Sequence, residues 1–228
     1  MTTNGRVALI TGANRGLGQA ISMRLHEMGH PVIVTARDAA AAAEAAASLG
    51  ADARSLALDV TDEVSVCAAV AQAGPVDILV NNAAVLLDWG CSPSSIPLDL
   101  VGRELAVNLF GAWRVSQAFI PGMLSRRWGR IVMISSGTGT FSNGLFARAP
   151  AYSLSKAALN ALTVLLAEET RDRGVLVNAV NPGLVRTRMR PDAERQPEAA
   201  AKDVAWVASL PEGGPTGVLF RGRHIAPW

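Results

Sequence analysis

Cysteine, lysine and tyrosine are almost missing from this 228-residue chain, and the shortages narrow what it can do. Two cysteines, Cys67 and Cys91, cannot build a disulfide framework or a cysteine metal cluster, so both read as free thiols and no metal site is expected. Charged residues make up only 18% of the chain and the net charge is +2, without a basic block or a basic-aromatic stripe. That pattern removes nucleic acid from the expected partners. No apolar run approaches the ~20 residues that cross a bilayer. The opening Met1-Thr2-Thr3-Asn4-Gly5-Arg6 lacks the apolar core of a secretory leader. A cytoplasmic protein with no membrane partner is the expectation.

Apolar residues, by contrast, are plentiful at 50%. They fall in short runs that alternate with longer helical stretches. Strands are predicted over 6–11, 31–35, 54–58, 76–80, 130–135, 175–180 and 217–220. Helices are predicted over 17–28, 39–47, 62–72, 97–126, 152–172 and 198–209. The alanine-rich 39–47 reads as an exposed crossover helix, since alanine is the best helix former. Continuous apolar strands separated by helices predict a parallel sheet covered on both faces. One domain spanning 1–228 fits the length, with no repeat and no linker. The irregular segments 86–95, 137–150 and 182–197 follow strand ends, where sheets of this kind build their sites.

Thr11-Gly12-Ala13-Asn14-Arg15-Gly16-Leu17-Gly18 leaves the first strand and opens the first helix. Glycines there let the backbone turn tightly and approach a pyrophosphate, and the helix start offers free N–H groups. The fold class this implies is an α/β Rossmann-type doubly wound parallel sheet of about seven strands. A dinucleotide selective for NAD would need a carboxylate at the end of the second strand. Ala36 stands there, followed by Arg37, and Arg15 lies in the glycine loop. Arginines pair with a ribose 2′-phosphate, which a carboxylate would repel, so NADP(H) is the expected cofactor. Asp38, one residue on, argues mildly the other way.

The chain's one tyrosine stands four residues before one of its two lysines, in Tyr152-Ser153-Leu154-Ser155-Lys156. At i and i+4 on a helix the two share a face. A free phenol has a pKa near ~10. A neighbouring ammonium and a positive nicotinamide ring would lower it, fitting Tyr152 to exchange a proton with a carbonyl or alcohol oxygen.

Together, the glycine spacing and the Tyr-x-x-x-Lys pair resemble the short-chain dehydrogenase/reductase family. Asn81-Asn82-Ala83-Ala84 is similar to its Asn-Asn-Ala-Gly strand end, with Ala84 where glycine is usual. Asp59, with Val60 beside it, resembles the adenine contact. Pro182-Gly183-Leu184-Val185-Arg186-Thr187 is similar to the segment that holds the nicotinamide carboxamide, through Pro182, Gly183, Val185 and Thr187. Asn14, Gly16, Leu17 and Gly18 complete the cofactor set, with Gly12, Arg15, Arg37, Asn82, Ala83, Tyr152 and Lys156.

From the same resemblance, Ser136 would hold the substrate carbonyl and Lys156 would bind the nicotinamide ribose while tuning Tyr152. Asn108 would steady a water leading away from Lys156. The sixteen positions between Ser136 and Tyr152 exceed the usual compact spacing, so Ser135 stays open as the functional hydroxyl. Alternating directions along a strand let only one of the two face the site. The C-terminal segments narrow the likeness to the compact carbonyl-reductase branch. That branch implies reduction of a ketone or aldehyde. The same residues would serve alcohol oxidation, C=N or C=C reduction, or a cofactor-binding regulator without turnover.

Leu86, Trp89, Phe141, Leu145, Phe146, Leu184 and Met189 are expected to line the substrate pocket, which suits an apolar or aromatic carbonyl compound. A small or mobile lid is expected after Thr187. Uncovered helix faces over 97–126 and from Tyr152 onward predict a homodimer or homotetramer.

Overall fold

The structure, a computed structural model, describes residues 5–228. Met1–Asn4, the start of the segment read as lacking a leader, lie outside the described residues. The elements in chain order are β1 (Ala8–Ile10), α1 (Gly16–Glu27), β2 (Val32–Ala36), α2 (Ala39–Ala47), β3 (Arg54–Ala57), α3 (Glu63–Ala73) and β4 (Ile78–Asn81). There follow α4 (Leu98–Leu105), a π-helical segment (Ala106–Gly111), α5 (Ala112–Ser125), β5 (Gly129–Ile134), α6 (Pro150–Glu169), β6 (Val175–Asn181), α7 (Pro197–Ala208), β7 (Leu219–Arg221) and β8 (His224–Ala226).

The strands form a sheet in the order β3-β2-β1-β4-β5-β6-β7-β8. Every pairing from β3 through to β7 is parallel. The chain reverses its direction of travel between β1 and β4, so a crevice opens beyond their carboxyl ends. An eighth strand, β8, was not foreseen and pairs antiparallel with β7. It is three residues long and partly exposed, so no apolar run marks it.

Period-2 alternation divides the core between the two faces. Ala8 and Ile10, with Val32 and Val34, pack beneath α1 and α7. Leu9 and Ile33 face the opposite way, toward α3, α5 and α6. Both clusters are fully buried, as a sheet clad on two sides requires. The long helix predicted over 97–126 is interrupted, because a π turn at Ala106–Gly111 separates α4 from α5. No helix of the described residues is long and apolar enough to cross a membrane.

Candidate active site

A cavity of about 1000 Å³ lies over the carboxyl ends of the strands. Gly12 and Gly16 adopt φ of +62° and +56°, the left-handed region that glycine enters freely. A Cβ on Gly18 would meet Asn82 Nδ2 at 2.5 Å and the Gly12 carbonyl oxygen at 2.6 Å. The Asn82 side chain donates to the Thr11 and Gly12 carbonyls, at 2.9 and 3.0 Å. Thr11 Oγ1 in turn accepts from the Asn82 and Ala83 amides. These bonds tie the glycine loop to the end of β4. Helices α2 and α3 each have an aspartate capping their first turn, whereas α1 has no side-chain cap. Its free N–H groups open on the cavity, so the chain fits a pyrophosphate there.

All of the residues expected to bind the cofactor line this cavity: Gly12, Asn14, Arg15, Gly16, Leu17, Gly18, Arg37, Asp59, Val60, Asn82, Ala83, Ala84, Tyr152, Lys156, Pro182, Gly183, Val185 and Thr187. Arg15 and Arg37 are exposed on its wall. Asp38, the residue that argued for NAD, is occupied, because Oδ1 accepts from the Ala40 and Ala41 amides at 2.8 and 3.1 Å. Burial opposes ionisation of Asp59, yet hydrogen bonds from the Thr61 side chain and amide, and then the Arg37 charge, hold its carboxyl below the usual range.

Ser136, Tyr152 and Lys156 meet at the inner end. The two serines are separated as strand geometry requires. Ser135 turns into the core, where its Oγ donates to Asn160 Oδ1 at 2.5 Å. Ser136 and Tyr152 line the cavity together, and the Ser136 hydroxyl favours the Tyr152 phenolate. The Ser136 oxygen also accepts from Thr138 N and Thr138 Oγ1, at 3.2 and 2.9 Å, which leaves its own proton available to donate. Lys156 Nζ lies 5.5 Å from the Tyr152 ring centroid and donates to the Ile134 carbonyl at 2.7 Å.

The electrostatics differ from the expectation in one respect. The Tyr152 phenol is pushed up to about 12, first by burial and then by the charge of Glu104, against the opposing effect of the Ser136 hydroxyl. The chain alone therefore does not lower it; the positive ring of a bound nicotinamide would oppose both effects. Burial presses the Lys156 ammonium down to about 8, while Glu104 pulls it upward.

Asn108 does not line the cavity. Its Oδ1 accepts from Val85 N at 2.8 Å, and its Nδ2 donates to the Val85 carbonyl and Ser155 Oγ, at 2.9 and 3.0 Å. Both amide protons are thus committed to clipping the strand-end loop onto α6, leaving at most one Oδ1 lone pair for a water. Behind it lie Asp88 and Glu104, both 0% exposed, which the sequence reading missed. The signal available for Glu104 was its place four residues before Asn108.

Leu86, Trp89, Phe146, Leu184 and Met189 line the outer cavity as expected, with Val107, Thr138, Ala149, Arg188 and Arg190 beside them. Trp89 is sandwiched between Phe146 at 5.5 Å and the Arg190 guanidinium at 4.8 Å. Phe141 and Leu145 do not belong to this wall. Phe141 sits in a 3-10 turn and is 75% exposed, and the adjacent Ser142 is bonded to the Pro227 and Trp228 carbonyls. The expected lid is anchored at its base, since Val185 bridges Arg195 and Arg195 donates to the Pro182 carbonyl and pairs with Asp203.

A doubly wound sheet with a glycine cradle and a serine–tyrosine–lysine cluster at the switch point defines a nicotinamide-dependent oxidoreductase. The sequence pattern of the short chain dehydrogenase family matches residues 6–198, and the chain belongs to that family. It is 37% identical over 234 residues to the 3-oxoacyl-[acyl-carrier-protein] reductase of Vibrio harveyi, covering 99% of this chain and 88% of that one. The oxidoreductase UcpA of Salmonella typhimurium is 37% identical over 222 residues, covering 90% and 81%. Among solved structures, the 3-ketoacyl-(acyl-carrier-protein) reductase of Brucella melitensis, complexed with NADH, superposes with a TM-score of 0.87 at 28% identity, covering 95% and 96%.

Proposed function

We propose that this chain reduces a ketone with NADPH, and that its substrate class is a 3-oxoacyl chain held as a thioester. The observation that carries the chemistry is the convergence of Ser136, Tyr152 and Lys156 on one wall of the cavity, with Lys156 Nζ 5.5 Å from the Tyr152 ring centroid. A bound nicotinamide would supply the hydride. Ser136, whose oxygen is already satisfied by Thr138, donates to the substrate carbonyl oxygen and orients it. Tyr152 gives that oxygen its proton. A phenol pushed up to about 12 is protonated at neutral pH, which is the form that reduction consumes. Lys156 is placed to hold the ribose and, by its charge, to favour the phenolate left behind. Asn108 positions this group by fixing the loop after β4 against α6.

The 2′-phosphate reading rests on exposed Arg15 and Arg37 and on the commitment of Asp38 to the α2 cap. NADH in the Brucella complex belongs to that protein. The apolar outer wall suits an acyl chain, and the names of the Vibrio and Brucella reductases motivate the thioester. The exposed α5–α6 face favours a homodimer or homotetramer, and two free cysteines suit the reducing cytoplasm.

The test is NADPH oxidation with acetoacetyl-coenzyme A and with simple aromatic ketones, alongside NADH. A lower KM for NADPH and a loss of about 10²- to 10⁴-fold in kcat for Tyr152→Phe are expected. A wild-type rate in Tyr152→Phe would overturn the mechanism, and an inert thioester beside reduced simple ketones would overturn the substrate class.

A further inference from the structure

Asp88 and Glu104 are the two fully buried carboxyl groups beside the catalytic cluster, and the mechanism above uses neither. Asp88 comes from the loop after β4. Its Oδ2 accepts from the Ala151 amide at 2.6 Å and the Tyr152 amide at 3.3 Å. It therefore occupies the capping position of α6, whose N-terminal flanking residue, Ala149, offers no side-chain cap of its own. Glu104 comes from α4, and its Oε1 accepts from the Leu87 amide at 3.4 Å. Each carboxyl then has one oxygen left over. Asp88 Oδ1 and Glu104 Oε2 are both buried without a hydrogen-bond partner among protein groups. Buried polar oxygens left in that state are costly.

Glu104 reaches the amide of Leu87, the chain neighbour of Asp88, so the two carboxyls lie side by side, and the Asp88 charge acts on Glu104 directly. A single shared proton satisfies both orphaned oxygens and leaves one negative charge where two would repel. Asp88 already accepts the two amides at the positive end of α6, so the proton of the pair is placed on the Glu104 side. The charged and titratable groups facing Glu104 are Asp88 from the loop and Tyr152 and Lys156 from α6.

We propose that Glu104 is a positioning residue that shares one proton with Asp88, and that this acid pair holds the first turn of α6, and so Tyr152, in place. Losing the shared proton sets a second negative charge against Asp88, loosens the α6 cap and works against the alignment of Tyr152 with Ser136. Burial first, and the Asp88 charge second, push the Glu104 carboxyl up to about 7, so the pair loses its proton near neutrality.

This inference rests on the proposed site but is read without substrate. The folded protein binds the Glu104 proton more tightly than the unfolded chain does. Stability is therefore lost as pH rises from the ordinary carboxyl value toward about 7, and the loss levels off above it. Glu104→Gln keeps the shape and donates an amide N–H to Asp88 at every pH. Melting temperatures of the wild type and Glu104→Gln should lie close together near about pH 5 and separate by roughly 5 °C in favour of the variant near about pH 8. Parallel melting curves across that range would overturn the shared proton. The ratio of Glu104→Gln to wild-type kcat for ketone reduction should rise over the same range. A constant ratio beside diverging melting curves would overturn the positioning role and leave the acid pair purely structural. An enzyme without ketone reduction at all still gives the melting comparison, so failure of the proposed reaction is distinguishable from failure of this pair.

Discussion

Lys156 shows how a single residue's surroundings set an enzyme's working range. Burial weakens its hold on a proton to about 8 even though Glu104 lies near enough to oppose the effect. Ammonium charge is present below that value and lost above it. Ketone reduction at saturating NADPH should accordingly fall as pH climbs through about 8, and a profile level to about pH 10 would contradict this role. The limb should persist in Glu104→Gln, which separates the lysine from the acid pair. Tyr152, Lys156 and Ser136 were legible because their chemistry depends on residue type and local spacing, both of which a sequence displays. Glu104 and Asp88 were not, because what sets them apart is burial and mutual contact across 16 positions of chain (104 − 88). The choice between Ser135 and Ser136 turns on the direction of one side chain, and the bond from Ser135 to Asn160 favours Ser136 as the hydroxyl that faces the cavity.

At the scale of elements, the apolar runs and glycine spacing located seven strands and most helices within a few residues. Besides β8, three features escaped. A π turn changes the ladder from i→i+4 to i→i+5 without altering composition, so Ala106–Gly111 looked like uninterrupted helix. Helix α6 begins at Pro150, a residue suited to a first turn, which places Tyr152 within that turn rather than at its edge. Phe141 and Leu145 were assigned to the pocket because aromatic and aliphatic residues in a site loop usually face inward; two short 3-10 turns carry this loop outward instead. The glycine loop makes a sharp prediction at this scale. Gly18→Ala places a methyl against Asn82 Nδ2 and the Gly12 carbonyl, so the clip between α1 and β4 must shift. NADPH affinity, followed by fluorescence titration, should drop about tenfold or more, on the order of 1.4 kcal/mol. Gly102→Ala in α4, where a Cβ meets nothing within 4 Å, should leave that affinity unchanged and serves as the control.

Across the whole molecule, the face built from α5 and α6 carries a shallow groove bordered by Trp113, Ile120, Leu124, Leu162 and Leu165. Leu165 is 64% exposed and Trp113 37% exposed, an uneconomical arrangement for a lone subunit in water. Leu165→Arg should lower the mass measured by sedimentation at micromolar concentration while leaving the melting transition of the subunit intact. An unchanged mass would place the interface elsewhere. The order of the sheet carries a different implication, one that concerns time. After β1, each new strand joins the side of its predecessor except β4, which returns to β1. A chain made from its N-terminus therefore holds both partners of the Asn82–Thr11 clip seventy positions before Tyr152 (152 − 82). The residues of the reaction, and the cofactor contacts expected at Lys156 and over 182–187, are all made after that clip.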